Sequence, residues 1–88
     1  MKLKDKVAII TGASKGIGKA IAERYAQEGA RVMLASRSLE VLEEIANQIK
    51  DSGGQAAAME VDVCDHDGIE DLVRRTVSEY SCLDIMVN

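Results

Sequence analysis

Apolar residues along the chain occur in two alternating patterns. Four short runs, at residues 7–10, 31–35, 55–63 and 83–88, are mostly or wholly apolar, which is typical of strands buried on both faces of a parallel sheet. Between these runs, apolar residues recur every three or four positions, which is the spacing of amphipathic helices. The pattern therefore predicts four strands that alternate with three helices.

Each predicted helix has one apolar stripe that would pack on the sheet. In the first helix the stripe comprises Ile17, Ala20, Ile21 and Tyr25; in the second, Leu39, Leu42, Ile45, Ala46 and Ile49; in the third, Ile69, Leu72, Val73, Thr76, Val77 and Tyr80. The solvated face of the second helix carries Glu40, Glu43, Glu44 and Lys50.

Polar residues and glycines mark where the helices begin and end. Ser38 is placed to cap the second helix, and either Asp65 or Asp67 is placed to cap the third. Gly29 follows the first helix, and a pair of glycines at 53–54 follows the second.

The alternation predicts an α/β fold with a doubly wound parallel sheet in the strand order 3-2-1-4, because each βαβ crossover is right-handed. Strand 3 contains three consecutive alanines at 56–58, whose low strand preference indicates a sheet edge. The winding direction reverses between strands 1 and 4. This reversal predicts a ligand crevice beyond the carboxyl ends of those two strands.

The segment 11–18, Thr-Gly-Ala-Ser-Lys-Gly-Ile-Gly, joins the first strand to the first helix. Free N–H groups and the helix dipole at a helix start bind phosphate well. We expect Gly12 to form the tight turn, Gly16 to admit a pyrophosphate against bare backbone, and Gly18 to let the helix pack on the sheet. The spacing G-x-x-x-G-x-G lacks the G-K-[ST] ending of a nucleoside triphosphate loop.

Length and composition narrow the possible functions. The 88 residues allow one domain, 1–88, and the 15 acidic and 11 basic residues give a net charge of −4, which argues against a nucleic-acid partner. The charged start has no secretory leader, and no apolar run is long enough for a membrane span, so we expect a cytoplasmic chain without membrane association.

The two cysteines, Cys64 and Cys82, do not have C-x-x-C spacing, so reduced thiols are expected. Residues 64–67, Cys-Asp-His-Asp, bring three kinds of metal-ligand atom together. Adjacent side chains diverge and no second cluster completes a coordination sphere, so we favour a strand-to-helix turn over a metal site.

The turn T-G-x-x-x-G-x-G after the first strand resembles that of the short-chain dehydrogenase/reductase family, and the resemblance extends along the whole chain. Asp62-Val63 matches the family's Asp-Val pair, and Asn88 matches the first residue of its N-N-A-G motif. The resemblance implies a Rossmann-like fold and an enzyme that transfers hydride between a nicotinamide cofactor and a carbonyl or secondary alcohol. It leaves the small-molecule substrate open among keto-acyl thioesters, sugars and steroids.

The resemblance also suggests which residues bind the cofactor. Residues 35–37 contain no carboxylate. In the family, basic side chains at the positions of Lys15 and Arg37 go with NADP(H), and NAD is the lesser alternative. If Lys15 and Arg37 do not bind the cofactor, they are solvated surface charges. Ser14 would reach the ribose or its phosphate, or else bond local backbone. Asp62 and Val63 would receive the adenine edge, or else Asp62 is a turn residue. The predicted cofactor-binding residues are Gly12, Ser14, Lys15, Gly16, Ile17, Gly18, Arg37, Asp62 and Val63.

In the family a Tyr-x-x-x-Lys pair, with a Ser and a further Asn, carries out catalysis, and these residues lie beyond the equivalent of Asn88. Gly29 stands four residues after Tyr25, and Asp84 four after Tyr80, so neither tyrosine fits and no catalytic residue is predicted. We therefore expect the cofactor-binding portion of such an enzyme without its catalytic half.

Strand 4 would then be an exposed edge, through which the chain associates with the missing segment or with another copy as a homo-oligomer. The alternative is a free-standing nucleotide-binding or interaction module without catalysis. Ser81 stands where the family usually has a glycine after the third helix. A left-handed conformation at Ser81 would cost about 1 kcal/mol.

Overall fold

A computed structural model describes residues 2–62 and 64–87. The elements are β1 (Val7–Thr11), α1 (Gly16–Gln27), β2 (Arg31–Ser36), α2 (Leu39–Asp51), β3 (Gln55–Glu60), α3 (His66–Tyr80) and β4 (Ile85–Val87). The predicted alternation is confirmed, although β3 and β4 are shorter than expected. Residues Val63 and Asn88, which were predicted to end β3 and β4, lie outside the described residues.

The four strands form one parallel sheet in the order β3-β2-β1-β4. This order confirms the predicted doubly wound arrangement and places the alanine strand β3 at one edge. All five residues of β1 are buried, as the central position between β2 and β4 requires. In the register, Ile9 of β1 lies beside Met33 of β2 and Met86 of β4.

The third strand ends at Glu60, shortly before a turn that leads into α3. The N–H of Val61 still donates to the carbonyl of Ser36 at 2.9 Å. One residue later, the carboxylate of Asp62 accepts the N–H of Cys64 at 2.9 Å, which closes a tight turn before α3. Pairing with β2 therefore stops at this point.

Side-chain hydrogen bonds join β4 to β1 at both of its ends. At the amino end, the N–H of Val7 donates to Oδ2 of Asp84, and the N–H of Asp84 donates to the carbonyl of Val7, both at 2.9 Å. At the carboxyl end, Oγ1 of Thr11 donates to the carbonyl of Val87 at 3.2 Å. These bonds hold the three-residue strand β4 in register with the buried β1.

Helices cover the two faces of the sheet unequally. One face packs against α1 and α2 in a large core cluster that includes Ile10, Leu34 and Leu42. The other face packs against α3 in a smaller cluster of Ile9, Met33, Ala35, Val61 and Leu72. Because α3 lies over β1 and β2, Met86 of β4 stays 40% exposed although its neighbour Ile9 is fully buried.

Most predicted stripe residues of α2 and α3 pack in the core, although Val77 of α3 is 41% exposed, and the stripe predicted for α1 is confirmed only at Ile21 and Tyr25. Ile17 is 82% exposed and Ala20 is also exposed, whereas Ala22 and Ala26 are the buried residues of α1. Small alanines further along the helix allow it to pack closely on the sheet.

The two predicted caps differ in the structure. Asp65 caps α3, because its Oδ1 accepts the N–H of Asp67 at 3.0 Å. Ser38 occupies the N-cap position of α2, but its side chain makes no capping bond; instead, its N–H donates to Oγ of Ser36 at 3.0 Å. Sequence reasoning identified the position of Ser38 correctly and the role of its hydroxyl incorrectly.

At the end of α1, Glu28 forms a hydrogen bond with the amino-terminal segment. Its carboxylate accepts the N–H of Lys2 at 3.0 Å and lies 3.3 Å from the guanidinium of Arg24. The backbone bond to Lys2 is the main cause that lowers the pKa of Glu28 below its ordinary value. Over the described residues, none of the helices combines the length and apolarity needed to cross a membrane.

Ser81 has the left-handed conformation considered from the sequence, with φ of 74°, and its N–H donates to the carbonyl of Val77 at 2.7 Å. We predict that Ser81→Gly raises the free energy of unfolding by about 1 kcal/mol, because glycine adopts this conformation without a steric penalty. The matched control is Ser52→Gly at the end of α2, where φ is −84°. It should be neutral or destabilising, since glycine there only adds freedom to the unfolded chain. Urea denaturation of both variants checks this, and an equal response would contradict it.

Candidate nucleotide-binding site

The turn after β1 depends on a left-handed residue at Gly12. This residue has φ of +64°, its N–H donates to the carbonyl of Ala35 at 2.9 Å, and its carbonyl accepts the N–H of Lys15 at 3.3 Å. Glycine adopts this conformation readily, whereas other residues do so at a cost. The tight turn expected at Gly12 is therefore present, and it is tied to the end of β2.

Gly18 and Gly16 have different structural reasons to be glycine. A Cβ at Gly18 would overlap the carbonyl oxygen of Gly12 and lie 2.9 Å from its carbonyl carbon, so the helix approaches the turn backbone to backbone. A Cβ at Gly16 would meet nothing within 4 Å, and the φ of Gly16 is not in the left-handed region. The fold therefore requires the glycine at 18, whereas the glycine at 16 leaves open space above the backbone.

The start of α1 presents unpaired backbone donors to that space. Within α1, the N–H of Lys19 donates to the carbonyl of Lys15 at 2.9 Å. The N–H groups of Gly16, Ile17 and Gly18 precede it, so they have no intrahelical acceptor. The first turn contains no acidic residue and no side-chain cap. Its partial positive charge is therefore available to an anion such as a pyrophosphate.

Two cavities lie on either side of this turn. One, of about 440 Å³, is lined by Thr11, Gly12, Lys15, Ile17, Gly18, Ile21 and Val87. The other, of about 370 Å³, is lined by Gly12, Ser14, Lys15, Ser36, Arg37, Ser38 and Val61. Because Gly12 and Lys15 line both cavities, an elongated ligand could cross the turn from one cavity to the other. Such a shape fits a dinucleotide whose pyrophosphate lies at the start of α1.

The structure brings together most of the residues predicted from the sequence to bind the cofactor. Gly12, Ser14, Lys15, Ile17, Gly18 and Arg37 line the two cavities, and Gly16, the first residue of α1, stands between the lining residues Lys15 and Ile17. Asp62 does not line either cavity, and its Oδ1 is engaged in the turn to Cys64. Val63 lies outside the described residues.

Sequence reasoning missed six lining residues, Thr11, Ile21, Ser36, Ser38, Val61 and Val87. Four of them stand at or just beyond the carboxyl ends of strands, where a doubly wound sheet places its ligands. That position was a usable signal for Ser36 and Val61. No sequence pattern distinguished Ile21 from an ordinary core residue.

Residues 6–88 match the sequence profile described as "short chain dehydrogenase". The chain belongs to this family. It is 42% identical, over 86 residues, to a fatty acyl-CoA reductase of Acinetobacter baylyi, an alignment that covers 98% of this chain and 29% of that relative.

Two solved structures show the same Rossmann-like fold. A hydroxysteroid dehydrogenase from Escherichia coli superposes with a TM-score of 0.96 at 36% identity, over 99% of this chain and 36% of that chain. A metagenomic short-chain oxidoreductase in complex with NADP superposes with a TM-score of 0.92 at 34% identity, over 98% and 39% of the respective chains. The chain thus spans less than two fifths of the length of each of these relatives.

The close approach at Gly18 can be tested against its neighbour. We predict that Gly18→Ala lowers the free energy of unfolding by about 1–3 kcal/mol, because the added methyl group would force α1 away from the turn. Gly16→Ala is the matched control and should leave the stability within about 0.5 kcal/mol of the parent. Thermal and urea denaturation measure both. Equal stability of the two variants would contradict the packing role of Gly18.

Proposed function

We propose that the chain is the amino-terminal, NADP(H)-binding part of a cytoplasmic oxidoreductase that transfers hydride between the nicotinamide and a small-molecule carbonyl or secondary alcohol. The observation that carries the proposal is the cavity in which Lys15 and Arg37 converge beside the glycine turn. The hydride-transfer reaction is supported by the relatives, which include a fatty acyl-CoA reductase and a hydroxysteroid dehydrogenase.

The cavity at Arg37 has the chemistry needed for the 2′-phosphate of NADP(H). Its charged side chains are Lys15 and Arg37, and neither forms an ion pair with another described residue. No carboxylate from the described part of the chain lines this cavity, whereas an acidic residue at the end of β2 would repel the phosphate. A guanidinium and an ammonium can each make charge-assisted hydrogen bonds to phosphate.

Hydroxyl groups complete the polar lining of the same cavity. The Oγ of Ser36 accepts the N–H of Ser38, so its position is restrained while its own proton is available to a ligand oxygen. Ser14 lines the cavity from the glycine turn and is proposed to contact the ribose or its phosphate. Asp62 and Val63 are proposed to receive the adenine edge, beside the lining residue Val61.

The other cavity would hold the nicotinamide end of the cofactor. The exposed side chain of Ile17 and the half-buried Ile21 provide an apolar lining next to the free N–H groups of α1. Burial of Ile17 against a ligand would remove apolar surface from water, which favours binding. When bound, the nicotinamide supplies or accepts the hydride.

The proton-transfer residues of the reaction are proposed to lie on another part of the polypeptide. The half-buried Tyr80 is unsuitable, because burial and the neighbouring Glu79 raise its pKa, and it stands at the far end of α3. We propose that this other part pairs with the free edge of β4, where Met86 is exposed. The greater length of the relatives supports this assignment.

Cofactor preference tests the role of Arg37 and Lys15. The unmodified chain should bind NADPH at least about tenfold more tightly than NADH, since charge-assisted bonds to the phosphate contribute about 1.5–3 kcal/mol each before solvent screening. The double variant Ser36→Asp with Arg37→Ser should reverse the order, because a carboxylate repels the phosphate and bonds the ribose hydroxyls. Isothermal titration calorimetry measures both affinities, and equal affinities in the unmodified chain would refute the NADP(H) assignment.

A control distinguishes binding of the 2′-phosphate by Lys15 and Arg37 from binding of the pyrophosphate at the start of α1. Gly16→Val should weaken NADPH and NADH alike, because its branched side chain occupies the open space beside the helix N–H groups. Its circular dichroism should match that of the parent. Unchanged affinity in a folded Gly16→Val variant would show that the turn holds no pyrophosphate.

Activity assays distinguish the proposal from a nucleotide-binding module without chemistry. The 88-residue chain alone should show no NADPH-dependent turnover with a panel of ketones, because loss of general acid–base catalysis alone lowers a rate by about 10²–10⁴. Adding a polypeptide that corresponds to the remaining part of a relative should restore turnover under this proposal. Failure to restore it, with cofactor binding intact, would favour the binding module, and turnover by the chain alone would overturn the assignment of catalysis to another segment.

A further inference from the structure

The edge of the sheet at β3 lacks the usual protection against pairing with another strand. Among the strands of residues 2–62 and 64–87, Gln55–Glu60 pairs only with β2, so one side of its backbone is free of these strands. Its sequence, Gln-Ala-Ala-Ala-Met-Glu, contains no proline and no basic residue, its single charged residue is the terminal Glu60, and none of its residues has a positive φ. Six-residue edges without such features readily accept another strand.

The helix α2 lies mainly over β3 and presents a row of polar side chains along the same edge. A groove of about 370 Å³ is lined there by Glu43, Asn47 and Lys50 of α2, together with Ala57 and Ala58 of β3. The three polar residues follow the spacing i, i+4, i+7, so they share one face of the helix. Neither Glu43 nor Lys50 forms an ion pair with any residue in the described part of the chain.

The order of charges in this row is self-complementary under two-fold rotation. A two-fold axis perpendicular to the sheet through the alanine segment reverses the direction of both β3 and α2 in a second copy. Glu43 of each copy then lies opposite Lys50 of the other copy, with the two Asn47 side chains between them. Opposite charges therefore meet twice, whereas the two Glu43 carboxylates stay apart.

The dimensions of such an arrangement are those of ordinary packing. Paired strands lie about 4.7–4.9 Å apart, and packed helices lie about 8–10 Å apart. Because α2 contacts both β3 and β2, it is set back from the edge, and pairing β3 with β3 places the two copies of α2 about two strand spacings apart, which matches this separation. The alanines at the centre of β3 leave room for the approach.

We propose that two copies of this chain associate through antiparallel pairing of β3 with β3, to form one eight-stranded sheet, with Glu43–Lys50 ion pairs between the two α2 helices. The surface is at the opposite edge of the sheet from β4 and outside the nucleotide site. The interaction therefore goes beyond the proposed function and does not depend on it.

Charge reversal tests the proposal in the full chain. Sedimentation equilibrium at low salt should show a monomer–dimer equilibrium. Glu43→Lys alone or Lys50→Glu alone should raise the dimer Kd by about tenfold, because each change converts two attractive contacts into repulsive ones. The double variant should return the Kd to within about threefold of the parent, since it restores both pairs with reversed polarity. Raising the salt concentration should reduce these differences.

Glu40→Lys is the matched control, because it makes the same change in net charge on an exposed position of α2 that does not line the groove. It should not weaken the dimer. Circular dichroism checks the fold of each variant. If a charge reversal fails to fold, the single variant Glu43→Gln or Lys50→Gln replaces it, and each of these should weaken the dimer less than the reversal does.

Three results would overturn the proposal. The first is a chain that stays monomeric up to about 1 mM. The second is a dimer that Glu43→Lys and Glu40→Lys affect equally, or that the double variant fails to restore. The third is a dimer that Met86→Lys disrupts and the α2 variants leave unchanged, which would assign the association to the β4 edge.

Discussion

The backbone contact between Gly18 and the carbonyl of Gly12 is the constraint on which the proposed nucleotide site depends. It sets how closely α1 approaches the end of β1, and it leaves no room for any side chain at position 18. Because the start of α1 is held there, its free N–H groups point into the space above Gly16. The two cavities share Gly12 and Lys15 for the same reason, since the turn that joins strand to helix is also the wall between them.

The crevice also requires β4 to lie beside β1, and a three-residue strand has few backbone bonds with which to ensure this. Asp84 at one end and Thr11 at the other add side-chain hydrogen bonds to the main chain of the neighbouring strand. The bond from Thr11 places Val87 at the wall of the cavity that Ile17 lines. The residues that secure the sheet thus also shape the site.

The two edges of the sheet differ in a way that bears on assembly. At β4, the face beside α3 is incompletely covered, and exposed apolar residues include Met86 and, on α3 itself, Val77. At β3, Ala56 and Ala58 pack in the cluster beneath α1 and α2, Ala57 packs on the opposite face, and polar residues line the rim. An apolar edge favours burial by further polypeptide, whereas a polar edge with ordered charges favours a specific, salt-sensitive contact.

The sequence by itself determined the number, type and order of the elements, because strand and helix periodicities are local and a right-handed crossover leaves few topologies. It also determined the glycine turn after β1, because the glycine pattern is local. The left-handed conformation of Ser81 was considered only through the family resemblance, and the structure established it. Only the tertiary structure decided which face of α1 packs. That choice depends on how the helix is oriented on the sheet: Ile17 is exposed, whereas Ile21 and Tyr25 of the same predicted stripe pack against the core.

The tertiary structure likewise decided that Asp65 and not Asp67 caps α3, and that the carboxylate of Asp62 closes a turn. Both candidate caps are acidic residues near the helix start, so only the path of the chain between β3 and α3 separates them. The meeting of Lys15 and Arg37 at one cavity was expected only by resemblance, since 22 positions separate them in the sequence. Parallel pairing of β1 with β2 brings these positions together, because the two strands end at the same edge of the sheet.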